Sequence, residues 1–146
     1  MKNKLIAVCG PTAVGKTETA IRLAETFNCP ILSFDSRQFY YELKIGAAIP
    51  NEEELKRAQH FFIADRSVTQ PLNSGSFADE AELLLKKLFE IYPVIIAVGG
   101  SGLYLKALID GVDELPKSDE IRKEISLELK EKGLEKLVQE IKERDP

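Results

Sequence analysis

Apolar and polar positions along this chain alternate between two regimes. Compact apolar runs, Leu5–Cys9, Ile31–Phe34 and Val94–Val98, each stop at a turn residue, Gly10, Asp35 or Gly99. Runs of that length closed by turn signals read as strands, and Leu5–Cys9, continuous up to Gly10-Pro11, as a buried parallel one. Between them a helical period takes over. Ala20, Ile21, Leu23, Ala24 and Phe27 mark one face of residues 16–27. Ala78, Ala81, Leu84, Leu85, Leu88 and Ile91 mark one face of residues 77–91, and Leu103–Leu108 begins another helix. His60–Ala64 predicts a short strand, "GAAIP" (46–50) a turn, "NEEELKRA" (51–58) a helix start and "TQPLNSGS" (69–76) a polar loop. The opening therefore reads strand, glycine loop, helix, strand, a βαβ unit expected to be right-handed. The fold class that follows is α/β with a parallel sheet.

After "DGVDELP" (110–116) the texture changes. Ile121, Ile125 and Leu129 mark one helical face, Leu134, Leu137, Val138 and Ile141 another, with Gly133 between them. This predicts a helical hairpin. The expected division is an α/β core over 1–114 and the hairpin over 115–146. Three or four strands are few for such a sheet, which usually has about five or six. The core is expected to be incomplete, and the chain to be the N-terminal part of a longer protein.

Composition narrows the classes. The chain has 146 residues, 44% hydrophobic and 30% charged, which is ordinary for a globular domain. Lys plus Arg number 20 and Asp plus Glu 24, a net charge of −4, with 12 basic against 15 acidic residues up to Glu114 and 8 against 9 beyond it. Neither part is a basic tail, so any nucleic-acid contact rests on local residues. Cys9 and Cys29 lack metal-ligand spacing and read as reduced core thiols. No segment approaches a membrane span, and the first apolar run is too short for a signal peptide, so the expectation is a cytoplasmic protein.

Gly10-Pro11-Thr12-Ala13-Val14-Gly15-Lys16-Thr17 matches G-x-x-x-x-G-K-[ST], directly after a strand and opening a helix. The glycines let backbone N–H groups turn toward phosphate oxygens, and the helix N-terminus adds partial positive charge. Lys16 neutralises terminal phosphate charge, and the Thr17 hydroxyl is a candidate Mg²⁺ ligand. A nucleotide hydrolase of this kind usually holds its Mg²⁺ with a further Asp at a strand end. Val94–Val98 instead runs into Gly99-Gly100, leaving Asp35 as the acid in a comparable place.

In open parallel sheets ligands sit at the carboxyl ends of strands. The glycine loop, Asp35-Ser36 and Gly99-Gly100-Ser101-Gly102 all occupy such ends, so they converge if the strands are parallel. A carboxylate and a hydroxyl beside a bound diphosphate can orient and deprotonate a nucleophile. Asp35-Ser36 also suits a plain turn, and Ser101 a helix N-cap. Tyr40, Tyr41 and Tyr104 read as edges of the core, His60 as a packed, hydrogen-bonded residue, and Lys106 as part of a solvated face. From these residues alone a group-transfer enzyme, a nucleotide or small-molecule kinase and a non-catalytic diphosphate-binding fragment all stay open.

"GPTAVGKT", "DSRQFY", "IGAAIP" and "GGSGLYLKAL", followed by "DG" and "LP", resemble in order and spacing the N-terminal half of the tRNA dimethylallyltransferase (tRNA isopentenyltransferase) family. The resemblance implies a P-loop NTPase-like three-layer fold carrying the start of a helical insertion. It implies transfer of a dimethylallyl group from dimethylallyl diphosphate to N6 of the adenosine 3′ of the tRNA anticodon. Gly10–Thr17 would cradle the diphosphate, with Lys16 and a Thr17-bound Mg²⁺ stabilising it as leaving group. Asp35 would be the base at N6, assisted by Ser101. Asp35, Ser36, Arg37 and Gln38 would contact the extruded adenosine and its neighbours, and Arg122 would lie near the anticodon arm. Where the family usually reads "IGTAKP", Ala47 and Ile49 replace a hydroxyl and a cation, and Ser76 stands where an Asp is common.

Overall fold

A computed structural model describes residues 2–112 and 118–144, and the chain separates into two compact units, Met1–Val112 and Asp113–Pro146. The boundary expected at 114/115, with "DELP" of 113–116, lies outside the described residues. The first unit contains β1 (Lys4–Cys9), α1 (Lys16–Phe27), β2 (Ile31–Ser33), α2 (Glu52–Arg57), β3 (His60–Phe61), α3 (Ser74–Leu88), β4 (Val94–Gly99) and α4 (Gly102–Asp110). The second contains α5 (Asp119–Lys132) and α6 (Leu134–Arg144).

The four strands form one sheet in the order β1-β4-β2-β3, and every pairing is parallel. β4 inserts between β1 and β2, so the opening βαβ unit is split by a strand that arrives more than 60 residues later. Flanked on both edges, β4 is fully buried at Ile95, Ile96 and Ala97. This is why its apolar run is uninterrupted. Alternation then sends successive residues to opposite faces. Ile31, Ile96 and Val98 pack with Ala20, Ile21 and Ala24 of α1, and Leu32, Phe34, Ile95 and Ala97 pack under α3 and α4. Helices on both faces of a parallel sheet make the three-layer α/β arrangement expected.

Five local expectations are corrected. β1 is parallel but not buried: among the described residues it pairs with β4 alone, leaving Ala7 and Cys9 exposed. Cys9 is therefore not a core thiol, whereas Cys29 is buried, and burial pushes its pKa up. The strand expected over His60–Ala64 ends at Phe61, because Phe62 and Ala64 take left-handed backbone (φ 59° and 48°). That turn carries the Phe62 ring into the core, 5.1 Å from Phe77 centre to centre. α3 starts at Ser74, three residues before the expected Phe77, because the Asn73 side chain accepts the Ser76 N–H as an N-cap. It stops at Leu88, so Ile91, expected on its apolar face, is exposed.

Phe39, Phe62, Phe77 and Tyr104 form an aromatic nucleus between the sheet and α3–α4, with ring centroids 5.1–6.0 Å apart. Each buried ring of this kind stabilises by roughly 1.5–3 kcal/mol. Tyr40 and Tyr104 edge this nucleus as expected, whereas Tyr41 is exposed, and the pair clamp Leu72: the Tyr40 hydroxyl accepts its N–H at 3.0 Å, and the Tyr104 hydroxyl donates to its carbonyl at 2.7 Å. Burial pushes the Tyr104 phenol pKa up. In the second unit Ser118 caps α5, and Gly133 at φ 79° separates it from α6. Ile121, Ile125, Leu129, Leu134, Val138 and Ile141 are all exposed there.

Candidate functional site

The glycine loop is shaped by its backbone. Gly15 occupies the N-cap of α1 at φ 85°, a conformation that favours glycine, and offers no side-chain cap. The first-turn N–H groups of a helix have no intrahelical acceptor, so an uncapped start presents them to an anion, reinforced by the helix dipole. Lys16 folds back across the loop and donates from Nζ to the Pro11 carbonyl at 2.6 Å. Thr12, Ala13, Gly15, Lys16 and Thr17 line a pocket of about 410 Å³. Gly10, Pro11 and Val14 shape the loop outside that lining.

The end of β2 supplies the opposite side. The sheet ladder continues one residue past β2, where Phe34 N–H donates to Val98 O at 2.9 Å, and Asp35 follows. Asp35 Oδ1 accepts the Arg37 N–H at 3.1 Å, so the turn geometry is real. The same turn aims Asp35, Arg37 and Gln38 into the pocket that Lys16 and Thr17 line. Gly99 and Gly100 make this convergence sterically possible. A Cβ on Gly99 would stand 2.5 Å from the Phe34 ring, and one on Gly100 would stand 3.6 Å from Asp35 Oδ2 and 3.8 Å from Gly10 O. The ends of β1, β2 and β4 thus meet within a few ångströms.

Ser101 sits at the N-cap position of α4 yet caps nothing. Its hydroxyl instead accepts the Ser36 N–H and donates to the Ser36 hydroxyl, both at 3.1 Å. It lies outside the pocket lining but is tied to the residue after Asp35. Arg37 is exposed at the pocket. Gln38 also lines the pocket but is half-buried with its amide engaged: its Oε1 accepts from Ser33 Oγ at 3.0 Å, and its Nε2 donates to the carbonyls of Ala47 at 3.3 Å and Ala48 at 3.0 Å. Arg122 lies exposed on α5, in the other unit.

Residues that the sequence did not assign to the site also line the pocket: the 46–50 turn, read only as a turn and a family motif, His60, read as a packed residue, and Glu54 and Ile63. His60 Nδ1 lies 2.8 Å from the Ala58 carbonyl, so that nitrogen carries the proton, and burial pushes its pKa down. α2 is strapped to α1 by Arg57, which bonds Glu25 and Glu18 at 2.7 Å. These bonds hold both glutamates below the usual carboxylate range and raise the arginine. Glu18 and Glu25 lie two turns apart on α1, a spacing visible in the sequence, but their partner is visible only once α2 has packed. Lys106 pairs with Asp110 at 2.7 Å on a solvated face.

Among the described residues no group of three or more His, Cys, Asp or Glu could hold a metal. A divalent cation here would therefore rest on the Thr17 hydroxyl and on oxygens brought by a ligand, which is the habit of Mg²⁺ with phosphates. No described helix is long and apolar enough to cross a membrane. The arrangement can bind a phosphorylated group at one end and present a carboxylate to a second group at the other.

Comparison with known proteins bears on what those groups are. The family model described as IPP transferase matches residues 38–146. The tRNA dimethylallyltransferase of Christiangramia forsetii is 45% identical over 147 residues, covering 100% of this chain and 49% of the relative. That of Flavobacterium johnsoniae is 43% identical, covering 97% of this chain and 46% of the relative. The crystal structure of the tRNA isopentenylpyrophosphate transferase from Bacillus halodurans superposes with a TM-score of 0.73 at 32% identity, over 99% of this chain and 48% of that one. The enzyme from Staphylococcus epidermidis gives 0.71 at 35% identity, over 89% and 42%. The chain spans about half the length of the curated relatives it matches.

Proposed function

The chain belongs to the IPP transferase family, and from that premise we propose that it forms the donor-binding and catalytic portion of a cytoplasmic tRNA dimethylallyltransferase. The observation that carries this reading is one pocket holding Lys16 and Thr17 at the uncapped start of α1 together with the Asp35 carboxylate. Dimethylallyl diphosphate places its diphosphate on the glycine loop. The exocyclic N6 of the adenosine 3′ of the tRNA anticodon then attacks C1 of the allyl group. The C1–O bond breaks as the N6–C1 bond forms, and the N6 proton passes to Asp35. The departing diphosphate is held by Lys16 and the first-turn N–H groups of α1, which act where negative charge develops. The Thr17 hydroxyl would help hold Mg²⁺ beside the diphosphate, where the ion would add charge neutralisation.

Ser101 orients the turn that carries Asp35, through Ser36. Within the Asp35–Gln38 stretch, Asp35, Ser36 and Arg37, together with Ser101, face the extruded adenosine, a placement suited to enzymes that take a base out of its stack. Arg122, on α5, contributes a phosphate contact to the anticodon arm. The test uses the full-length protein that carries this chain, incubated with dimethylallyl diphosphate, Mg²⁺ and unmodified tRNA, with nucleosides analysed by mass. One added C5H8 unit on adenosine is the expected product. Phosphoryl transfer from a nucleoside triphosphate, with the tRNA unchanged, would overturn the reading in favour of a kinase.

A further inference from the structure

Ser33 is the one buried polar side chain among the described residues of the core, with 0% exposure, and its hydroxyl is used in both directions. It accepts the Asp35 N–H at 3.2 Å and donates to Gln38 Oε1 at 3.0 Å. Gln38 in turn spends its Nε2 on the carbonyls of Ala47 and Ala48. A carboxamide has two N–H donors, and both are engaged. The bonds form one chain from the Asp35 backbone, through Ser33 and Gln38, to the 46–50 turn that walls the pocket. That turn has a reason to need holding: Ala48 takes a left-handed backbone (φ 47°), which costs a non-glycine residue on the order of 1–2 kcal/mol.

We infer that Gln38 is a positioning residue, which locks the 46–50 wall to the strand end bearing Asp35 instead of reading the RNA with its amide. The lock grips main-chain carbonyls, so Ala47 and Ile49, which stand where the family usually has a hydroxyl and a cation, leave it intact. It sets the separation between the pocket wall and the carboxylate. The kinetic part of this inference rests on the transferase reading; the lock itself does not.

Four forms of the full-length protein test it: Ser33→Ala, Gln38→Ala, Gln38→Glu and the double Ser33→Ala/Gln38→Ala. Ser33 is inaccessible and cannot touch RNA, so it separates positioning from contact. Hydrogen exchange at residues 46–50 is expected to accelerate on the order of ten-fold in either alanine variant, the loss of one to two net hydrogen bonds. The double variant should be no faster than Gln38→Ala, because the two groups act in series. Gln38→Glu keeps the acceptor for Ser33 but sets a carboxylate against two carbonyls, so it should release the wall as fully as alanine. Transfer kcat should fall in step with exchange while tRNA affinity holds. Weakened tRNA binding in Gln38→Ala, with Ser33→Ala unchanged and 46–50 still protected, would overturn the inference. Exchange is read without turnover, so an absence of prenyl transfer in the parent protein would sink the transferase reading and leave the lock to be judged separately.

Discussion

Replacing Gly99 with alanine tests the packing that brings the strand ends together. The added Cβ would stand 2.5 Å from Phe34 Cδ2, 2.8 Å from Cε2 and 2.8 Å from the Phe34 carbonyl carbon. Ordinary carbon contacts need about 3.5 Å, so relief requires a shift of roughly 1 Å. The Phe34 ring is fully buried and cannot vacate, and a backbone carbon cannot rotate away. The strain must open β2 from β4, stretching the Phe34 N–H to Val98 O bond. Overpacking of this kind costs about 1–3 kcal/mol and a weakened hydrogen bond about 1 more, so the total is about 2–4 kcal/mol. For a domain of this size that lowers Tm by on the order of 10–20 °C. Asp35 is the next residue, and a misplacement of about 1 Å at a reacting group costs roughly 100-fold in rate. Gly102→Ala is the control: the same chemical change three residues on meets nothing within 4 Å. Melting by circular dichroism and single-turnover transfer should separate the two variants. Equal melts for both would refute the claim that Gly99 is required by the close approach of Phe34.

In the full-length protein, Asp35→Ala should reduce transfer by ~10²–10⁴-fold with diphosphate affinity nearly unchanged; retained activity would remove Asp35 from the mechanism. Lys16→Ala should weaken diphosphate binding directly, as read by calorimetry. Burial lowers the His60 pKa from 6.5, so the unfolded chain takes up its proton first as pH falls. Stability should thus be level above pH 6.5 and decline as pH falls below it, and His60→Gln should flatten that decline. The shifted carboxylates lie below their ordinary 4.5, so their contribution is lost mainly at lower pH than the His60 decline begins. A maleimide should label Cys9 rapidly in the native state and Cys29 only on unfolding, since one thiol is exposed and the other buried with a raised pKa.

Much of this protein is written in short-range chemistry. The strands and helices, the glycine loop ahead of α1 and the asparagine-led start of α2 are legible because apolar period, capping and turn preference act over a few residues. Asp35 as a strand-end carboxylate was legible for the same reason. What the chain does not disclose locally is strand order. Nothing in Leu5–Cys9 says that its partner is β4, or that its other edge carries no strand among the described residues; the same apolar letters therefore describe an exposed Cys9 and a buried Val98. Ser101 has the sequence of an N-cap, and only the placement of β4 beside β2 turns its hydroxyl toward Ser36. Gln38 has the sequence of a ligand contact, and only the return of residues 46–50 over the strand end spends its amide on their carbonyls. Local sequence determined which groups each element carries. Tertiary structure decided which of them meet, because hydrogen-bond partners tens of residues apart are selected by strand order and packing rather than by neighbouring residues.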